Sequence, residues 1–183
     1  FIKRNGEFTV NIALMERDGE PAGPLGSHTP VAGVLYVPVK DILYFSWQGG
    51  GSYRQEQATT LAGCTAYERA VRSVRSPMDH ARKTFTIVAS RSHASPDTDA
   101  FIQRMEKEHG RVETVSMGSA LKICLVAEGT ADVYPRYAPT MEWDTAAGHA
   151  IVNEAGKKLI DISTGEPMRY NKYDLLNQWF IVQ

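Results

Sequence analysis

Alternation of apolar and polar residues dominates the first third of the chain. In "EFTVNIALME" (7–16), Phe8, Val10, Ile12 and Leu14 fall on one side, and Thr9, Asn11 and Ala13 on the other. That period predicts a half-buried strand, with the apolar side inward. Residues 17–30, "RDGEPAGPLGSHTP", are dense in Gly and Pro and predict a loop. "VAGVLYVPV" (31–39) predicts a second strand, and Pro38 places it near an edge or a bulge. "DILYFSW" (41–47) predicts a third, which residues 48–51 turn back into "SYRQ" (52–55). Residues 1–58 therefore predict an antiparallel meander without helices.

Residues 59–83 carry no clear stripe and are assigned to a connection. From Thr84 onward the pattern changes. "TFTIVAS" (84–90) predicts a compact apolar strand. A helix follows over 95–110: Ser95 caps it, Pro96 suits its first turn, Asp97 and Asp99 favour its positive end, and Gly110 stops it. Then come a strand at "RVETVSMG", a helix at "SALKICLVAEG", a strand at "ADVYP", and a helix from Asp144 to Ala155 closed by Gly156. "KLIDI" and "QWFIV" predict the last two strands. The fold class is α/β, an α+β layered arrangement in which the meander precedes an open sheet with helices on its faces, over residues 84–183. Ligands of such sheets gather where strands give way to helices.

Composition narrows the functional classes. At 183 residues and 43% hydrophobic content the chain can build a sizeable core. A net charge of -1 supplies no field for a nucleic-acid polymer or an anionic membrane. No apolar run approaches the roughly 20 residues of a transmembrane helix. Cys64 and Cys124 lack metal-ligand spacing, which fits a reducing cytoplasm, with a peripheral place at the inner membrane as the alternative. Cys124, within "ICLVA", predicts core packing. The chain opens at Phe1, without Met, directly into strand-like alternation, so further sequence is expected upstream.

Several polar groups fall where strands end or helices begin. Arg91, Ser92 and His93 follow the strand at 84–90, Ser119 and Lys122 open a helix, Arg136 follows "DVYP", and Asp144 opens the next helix. Each has a plain alternative. His93 could bond backbone in its loop, and Ser119 could be a helix cap. Lys122 could be a solvated helix residue, and Arg136 a surface cation stacked on Tyr134 or Tyr137. Asp144 reads first as an N-cap. The small residues after it, Thr145 to Gly148, leave first-turn N–H groups uncovered, which is a setting for phosphate. A carboxylate beside a phosphate then implies a bridging divalent cation. His149 reads as structural, and Trp143 as a packing wedge that sets the angle at which the helix starts.

"WDTAAGHAIVNEAG" resembles the second motif of the inositol monophosphatase superfamily. With "FIKRNGEFTVNIAL", "SRSH" and "GSALKICLVAEGTADVYPR", the chain resembles more narrowly the 3'(2'),5'-bisphosphate nucleotidases of the bacterial CysQ type, over nearly its whole length. The resemblance implies the C-terminal part of an αβαβα sandwich. It implies that His93, Ser119 and Lys122 contact a nucleotide, that Arg136 holds a phosphate, and that Asp144 ligates metal and touches substrate. The implied cofactor is Mg2+, two or three ions in the intact protein. The implied reaction converts adenosine 3',5'-bisphosphate to AMP and phosphate. The Glu-Glu pair and the Asp-Pro-Ile/Leu-Asp-Gly-Thr loop that supply most metal ligands in this superfamily are not in the sequence. Residues 1–183 alone are therefore expected to be inactive and to fold marginally, with an open sheet edge and an uncovered apolar face. A non-catalytic nucleotide- or anion-binding module is the alternative, as is an inositol or sugar phosphate phosphatase of the same superfamily.

Overall fold

The computed structural model describes residues 6–18, 27–78, 84–90 and 95–183. Strands β1 (Val10–Asp18), β2 (Ser27–Val37), β3 (Ile42–Trp47), β4 (Gly51–Glu56) and β5 (Val74–Ser76) form one antiparallel sheet in chain order. The meander is the one the alternation predicts, with β5 added from the stretch assigned to a connection. That stretch also holds a 3-10 turn at Ala58–Leu61 and helix α1 (Ala66–Val71). The α1 start is a reciprocal box: the Glu68 carboxylate accepts the Thr65 N–H, and the Thr65 hydroxyl accepts the Glu68 N–H.

Two strand limits differ from expectation. β1 and β2 run on into the predicted loop, pairing Arg17 with His28 and Asp18 with Ser27. Ladder pairing outweighs the local Gly and Pro signals there. Pro30 sits opposite Met15, where the register shifts after Leu14, a position that tolerates a missing N–H. Residues 19–26 lie outside the described residues. Pro38 marks no edge. It follows the end of β2, which lies inside the sheet between β1 and β3.

The faces of β1 are also reversed. Ile12 and Leu14 are 62% and 65% exposed, and Phe8 and Val10 are exposed too. The half-buried side carries Asn11, Ala13 and Met15. Alternation shows that a strand has two faces; the partner decides which turns inward. Here the partner is a helix, α4 (Glu142–Glu154), packed across β1 and β2. It comes too close to admit a large side chain. A Cβ on Gly33 would sit 2.3 Å from the Ala147 carbonyl oxygen. On its other side, a Cβ on Gly148 would lie 2.9 Å from Ile123. The small residues after Asp144 thus serve packing as well: Thr145, Ala147 and Gly148 are buried.

The second half is built on parallel β6 (Phe85–Ser90) and β7 (Val112–Met117), joined by α2 (Pro96–His109). Helix α2 has the predicted signals. The Ser95 hydroxyl accepts the Thr98 N–H, Pro96 lies in the first turn, Gly110 ends it at φ 77, and Phe101 and Met105 are buried. Helix α3 (Leu121–Ala127) leads to β8 (Tyr134–Arg136), and β9 (Leu159–Asp161) and β10 (Phe180–Val182) complete a second sheet in the order β8, β10, β9. The Val88 N–H donates to the Val133 carbonyl at 2.8 Å, linking the two sheets edge to edge. The larger core cluster joins Leu35, Val37 and Tyr44 of the meander to Ile123, Cys124 and Val126 of α3 and to Ile151 and Val152 of α4. Cys124 is in that core, as predicted. A smaller cluster under α2 gathers Ile87, Phe101, Met105 and Val133.

The face assignment makes an unequal pair of outcomes. Leu35→Ala should cost roughly 2–5 kcal/mol in denaturant unfolding, by transfer and cavity terms. Leu14→Ala, also in the meander, should stay within about 0.5 kcal/mol. Equal losses would place Leu14 in a core.

His149, as read from sequence, is structural. It is 1% exposed, and its Nδ1 lies 3.0 Å from the Tyr170 hydroxyl. Burial, with Arg169 adding repulsion, pulls its pKa down to about 4. Between pH 6.5 and 4 the unfolded chain binds a proton that the folded chain refuses, so this group's contribution falls as pH falls through that window. The full shift corresponds to roughly 3 kcal/mol. His149→Gln should flatten the acid limb of the stability curve. An unchanged limb would mean that His149 is not held neutral.

Candidate active site

Two buried cations, one on α3 and one on β8, form a positively charged floor. Lys122 is 7% exposed and is the second residue of a helix that is otherwise apolar. Its Nζ donates to the Ser119 carbonyl at 2.7 Å and the Met117 carbonyl at 3.4 Å, and lies 5.6 Å from the centre of the Tyr134 ring. It is no solvated helix residue. Arg136 is 8% exposed, donating from Nε to Ala138 O at 3.1 Å and from Nη2 to Pro139 O at 3.0 Å. It is no surface cation. Both cations spend these hydrogen bonds on carbonyl oxygens, which orient the charge without neutralising it.

The electrostatics follow from that placement. Burial, then repulsion from Arg136, lowers the Lys122 pKa to about 8, and the carboxylates of Glu7 and Asp144 pull the other way. These four groups therefore share one field, although they come from sequence positions 7, 122, 136 and 144. Tyr134, buried between the cations, has its phenol pushed well above the usual range by burial.

Asp144 reaches the site differently from expectation. The helix starts at Glu142, so Asp144 is its third residue and not its N-cap. Its Oδ2 accepts the Met141 N–H at 2.9 Å, and the side chain is otherwise exposed. The first turn is fixed from the C-terminal segment. Asn177 Nδ2 donates to Met141 O at 2.8 Å and the Thr145 hydroxyl at 3.0 Å, while the Glu142 carboxylate accepts the Asn171 N–H at 2.8 Å and pairs with Lys172. Trp143 is 59% exposed, so it is not a buried wedge.

Ser119 is not a helix cap. Ala120 takes the N-cap place, and Ser119 stands before it at φ 55, the left-handed region that costs a non-glycine residue about 1–3 kcal/mol. Its hydroxyl lies 2.6 Å from that of Thr9. Beside it the Gly118 N–H donates to Glu7 Oε2 at 2.7 Å. Glu7 is a neighbour of this cluster that the sequence reading did not single out. A lone acidic residue ahead of a strand looks like a surface charge, and its partner is 111 positions away. His93, with Arg91 and Ser92, lies outside the described residues.

Magnesium was the implied cofactor. Magnesium asks for six oxygens in near-octahedral array. Among the described residues no group of three His, Cys, Asp or Glu side chains could hold a metal ion. Asp144 can offer one carboxylate, which does not by itself make a magnesium site.

A separate cavity of about 440 Å³ lies between β1 and the first turn of α4, lined by Asn11, Met15, His28, Trp143, Ala147 and Tyr170 among others. Lys122, Arg136, Ser119 and Asp144 do not line it. No helix among the described residues is long and apolar enough to cross a membrane.

Comparison with known proteins supplies the family. The 3'(2'),5'-bisphosphate nucleotidase CysQ of Escherichia coli K12 is 39% identical over 184 aligned positions, which cover all of this chain and 62% of that protein. The crystal structure of CysQ from Bacteroides thetaiotaomicron, a bacterial member of the inositol monophosphatase family, superposes with a TM-score of 0.88 at 54% identity, over all of this chain and 65% of that one. The 2'AMP-bound structure of SaIMPase-II shares the fold at a TM-score of 0.59 and 20% identity, over 85% of this chain and 54% of that one. The chain thus spans a little under two thirds of the length of these two CysQ relatives. The profile of the Inositol monophosphatase family matches residues 1–182, and the chain belongs to that family.

Proposed function

We propose that residues 1–183 carry the substrate-binding half of a phosphomonoesterase acting on adenosine 3',5'-bisphosphate and releasing AMP and phosphate. The observation that carries the reading is the buried pair of like charges, Lys122 and Arg136. Two desolvated cations that repel each other are stabilised by a dianion between or beside them. A nucleotide with two phosphates meets that requirement, and the names of the relatives at 39% and 54% identity point the same way.

Roles follow from chemistry. Arg136 would hold the phosphate that is not cleaved, with two N–H groups already anchored so that the guanidinium keeps its orientation. Lys122 and the Ser119 hydroxyl would contact the nucleotide, and His93 is assigned there too. Asp144 would face the scissile phosphate and could offer one ligand to an Mg2+ ion, whose remaining ligands the described residues do not supply. That cofactor supplies charge neutralisation and an activated water when bound. Water adds to phosphorus, the ribose C–O bond stays intact, and the P–O bond to the ribose oxygen breaks. The ribose oxygen leaves with a proton.

Among the described residues no cluster suited to a metal forms around Asp144, which favours a second reading for this stretch taken alone, a nucleotide- or anion-binding module without catalysis. On that ground purified 1–183 should bind the bisphosphate yet release little or no phosphate. Strong EDTA-sensitive release by 1–183 would contradict it.

In the full gene product, Asp144→Asn should remove most turnover while leaving the melting curve in place. Retained wild-type turnover would sink the assignment of Asp144. Lys122→Ala should raise KM for the bisphosphate more than it lowers kcat. Affinity should also weaken as pH rises through about 8, where Lys122 loses its proton, and Lys122→Gln should abolish that limb. The sign on stability is opposite. Between pH 8 and 10.5 the unfolded chain binds the extra proton, so relief of the buried charge strengthens folding there.

A further inference from the structure

The segment that leads into β1 grips the loop between β7 and α3 through Glu7 and Thr9, side chains that no part of the proposed chemistry uses. Glu7 is buried to 9% exposure, and its Oε2 accepts the Gly118 N–H at 2.7 Å. Two residues on, Thr9 meets Ser119 hydroxyl to hydroxyl at 2.6 Å. These contacts span 111 and 110 positions of sequence, so they do not form as local turn geometry. The gripped loop is under strain, because Ser119 holds φ 55. A strained backbone of this kind persists only where its surroundings over-determine it. The same loop supplies the carbonyls that aim Lys122: Met117 O and Ser119 O both accept from Nζ. The close fit at Gly118 supports a built contact, since a Cβ there would lie 2.7 Å from Glu7 Oε2.

We propose that Glu7 is a positioning residue for substrate binding: through the Gly118 N–H, with Thr9 on Ser119, it holds the strained loop that aims Ser119 and Lys122 at the bound nucleotide. Glu7 touches neither the nucleotide nor the reacting atoms. Its carboxylate replaces the water that the Gly118 N–H would otherwise bind, and the left-handed Ser119 conformation is kept because its neighbours on both sides are anchored. This role rests on the proposed nucleotide site, and the loop geometry itself can be read without any substrate.

Two readouts separate the two. The first is amide hydrogen exchange in the full gene product. Glu7→Ala should speed exchange at Gly118 by tenfold or more, and Glu7→Gln, which keeps an acceptor oxygen, should restore most of the protection. Unchanged Gly118 exchange in Glu7→Ala overturns the clasp. The second is kinetics with adenosine 3',5'-bisphosphate. Glu7→Ala should raise KM about tenfold with kcat changed less than threefold, Glu7→Gln should recover most of the loss, and Gly118→Ala, whose methyl displaces the carboxylate, should reproduce Glu7→Ala. The double variant should be no worse than either alone. A fall in kcat and melting temperature together, without a KM effect and without rescue by Gln, would make Glu7 merely structural and overturn the proposal. A wild-type protein that neither binds nor hydrolyses the bisphosphate, while Gly118 exchange still responds to Glu7, would overturn the nucleotide reading and with it the positioning role, leaving the clasp alone standing.

Discussion

The close approach of α4 to both its neighbours governs this structure. Gly33 lets the helix backbone reach β2, with the Ala147 carbonyl where a methyl would be, and Gly148 lets Ile123 of α3 lie against its other side. A helix held this tightly on two sides has little freedom to slide or rotate. Its first turn is then tied to the C-terminal segment through Asn177 and Glu142. The result is that Asp144, exposed and otherwise unremarkable in its bonding, is presented at a defined place beside the floor built by Lys122 and Arg136. A packing constraint in the core thereby becomes an electrostatic arrangement at the surface.

The floor itself costs stability. Burying Lys122 near Arg136 costs enough to bring the lysine down to about pKa 8. A protein gains nothing in folding from such a pair, since well-packed apolar residues would serve as well or better. The cost makes sense if an anion offsets it. The carboxylates of Glu7 and Asp144 soften the repulsion without cancelling it, and both cations donate hydrogen bonds to carbonyl oxygens. Preorganisation of this kind places the orientation cost in the folded state, so that less of it falls on binding.

Much of this was legible in the sequence, and the failures share a cause. Helix α2 was readable because Ser95, Pro96, Phe101, Met105 and Gly110 are local signals that agree with one another. The residues of the proposed site were readable through the motifs that resemble the family, and the structure brings Ser119, Lys122, Arg136 and Asp144 into one region. What was not readable depended on distant partners. Which face of β1 turns inward is decided by α4, so the stripe of Val10, Ile12 and Leu14 was assigned to the wrong side. The packing role of the small residues after Asp144 depends on Gly33 and Ile123, which press on Ala147 and Gly148 from other elements. The strands extend through Arg17 and Ser27 because cross-strand pairing overrode a Gly- and Pro-rich composition. Glu7 carried no local mark of its role, its partner being Gly118.

The most direct test of the central claim is a crystal structure of the full gene product with AMP bound. The account predicts the phosphate within about 3 Å of both the Lys122 ammonium and the Arg136 guanidinium, the distance of a charge-assisted hydrogen bond. It predicts the Ser119 hydroxyl turned toward the nucleotide. A phosphate seated instead in the cavity between β1 and α4, among Met15, His28 and Trp143, would contradict the account. The buried cation pair would then have no part in recognising the substrate.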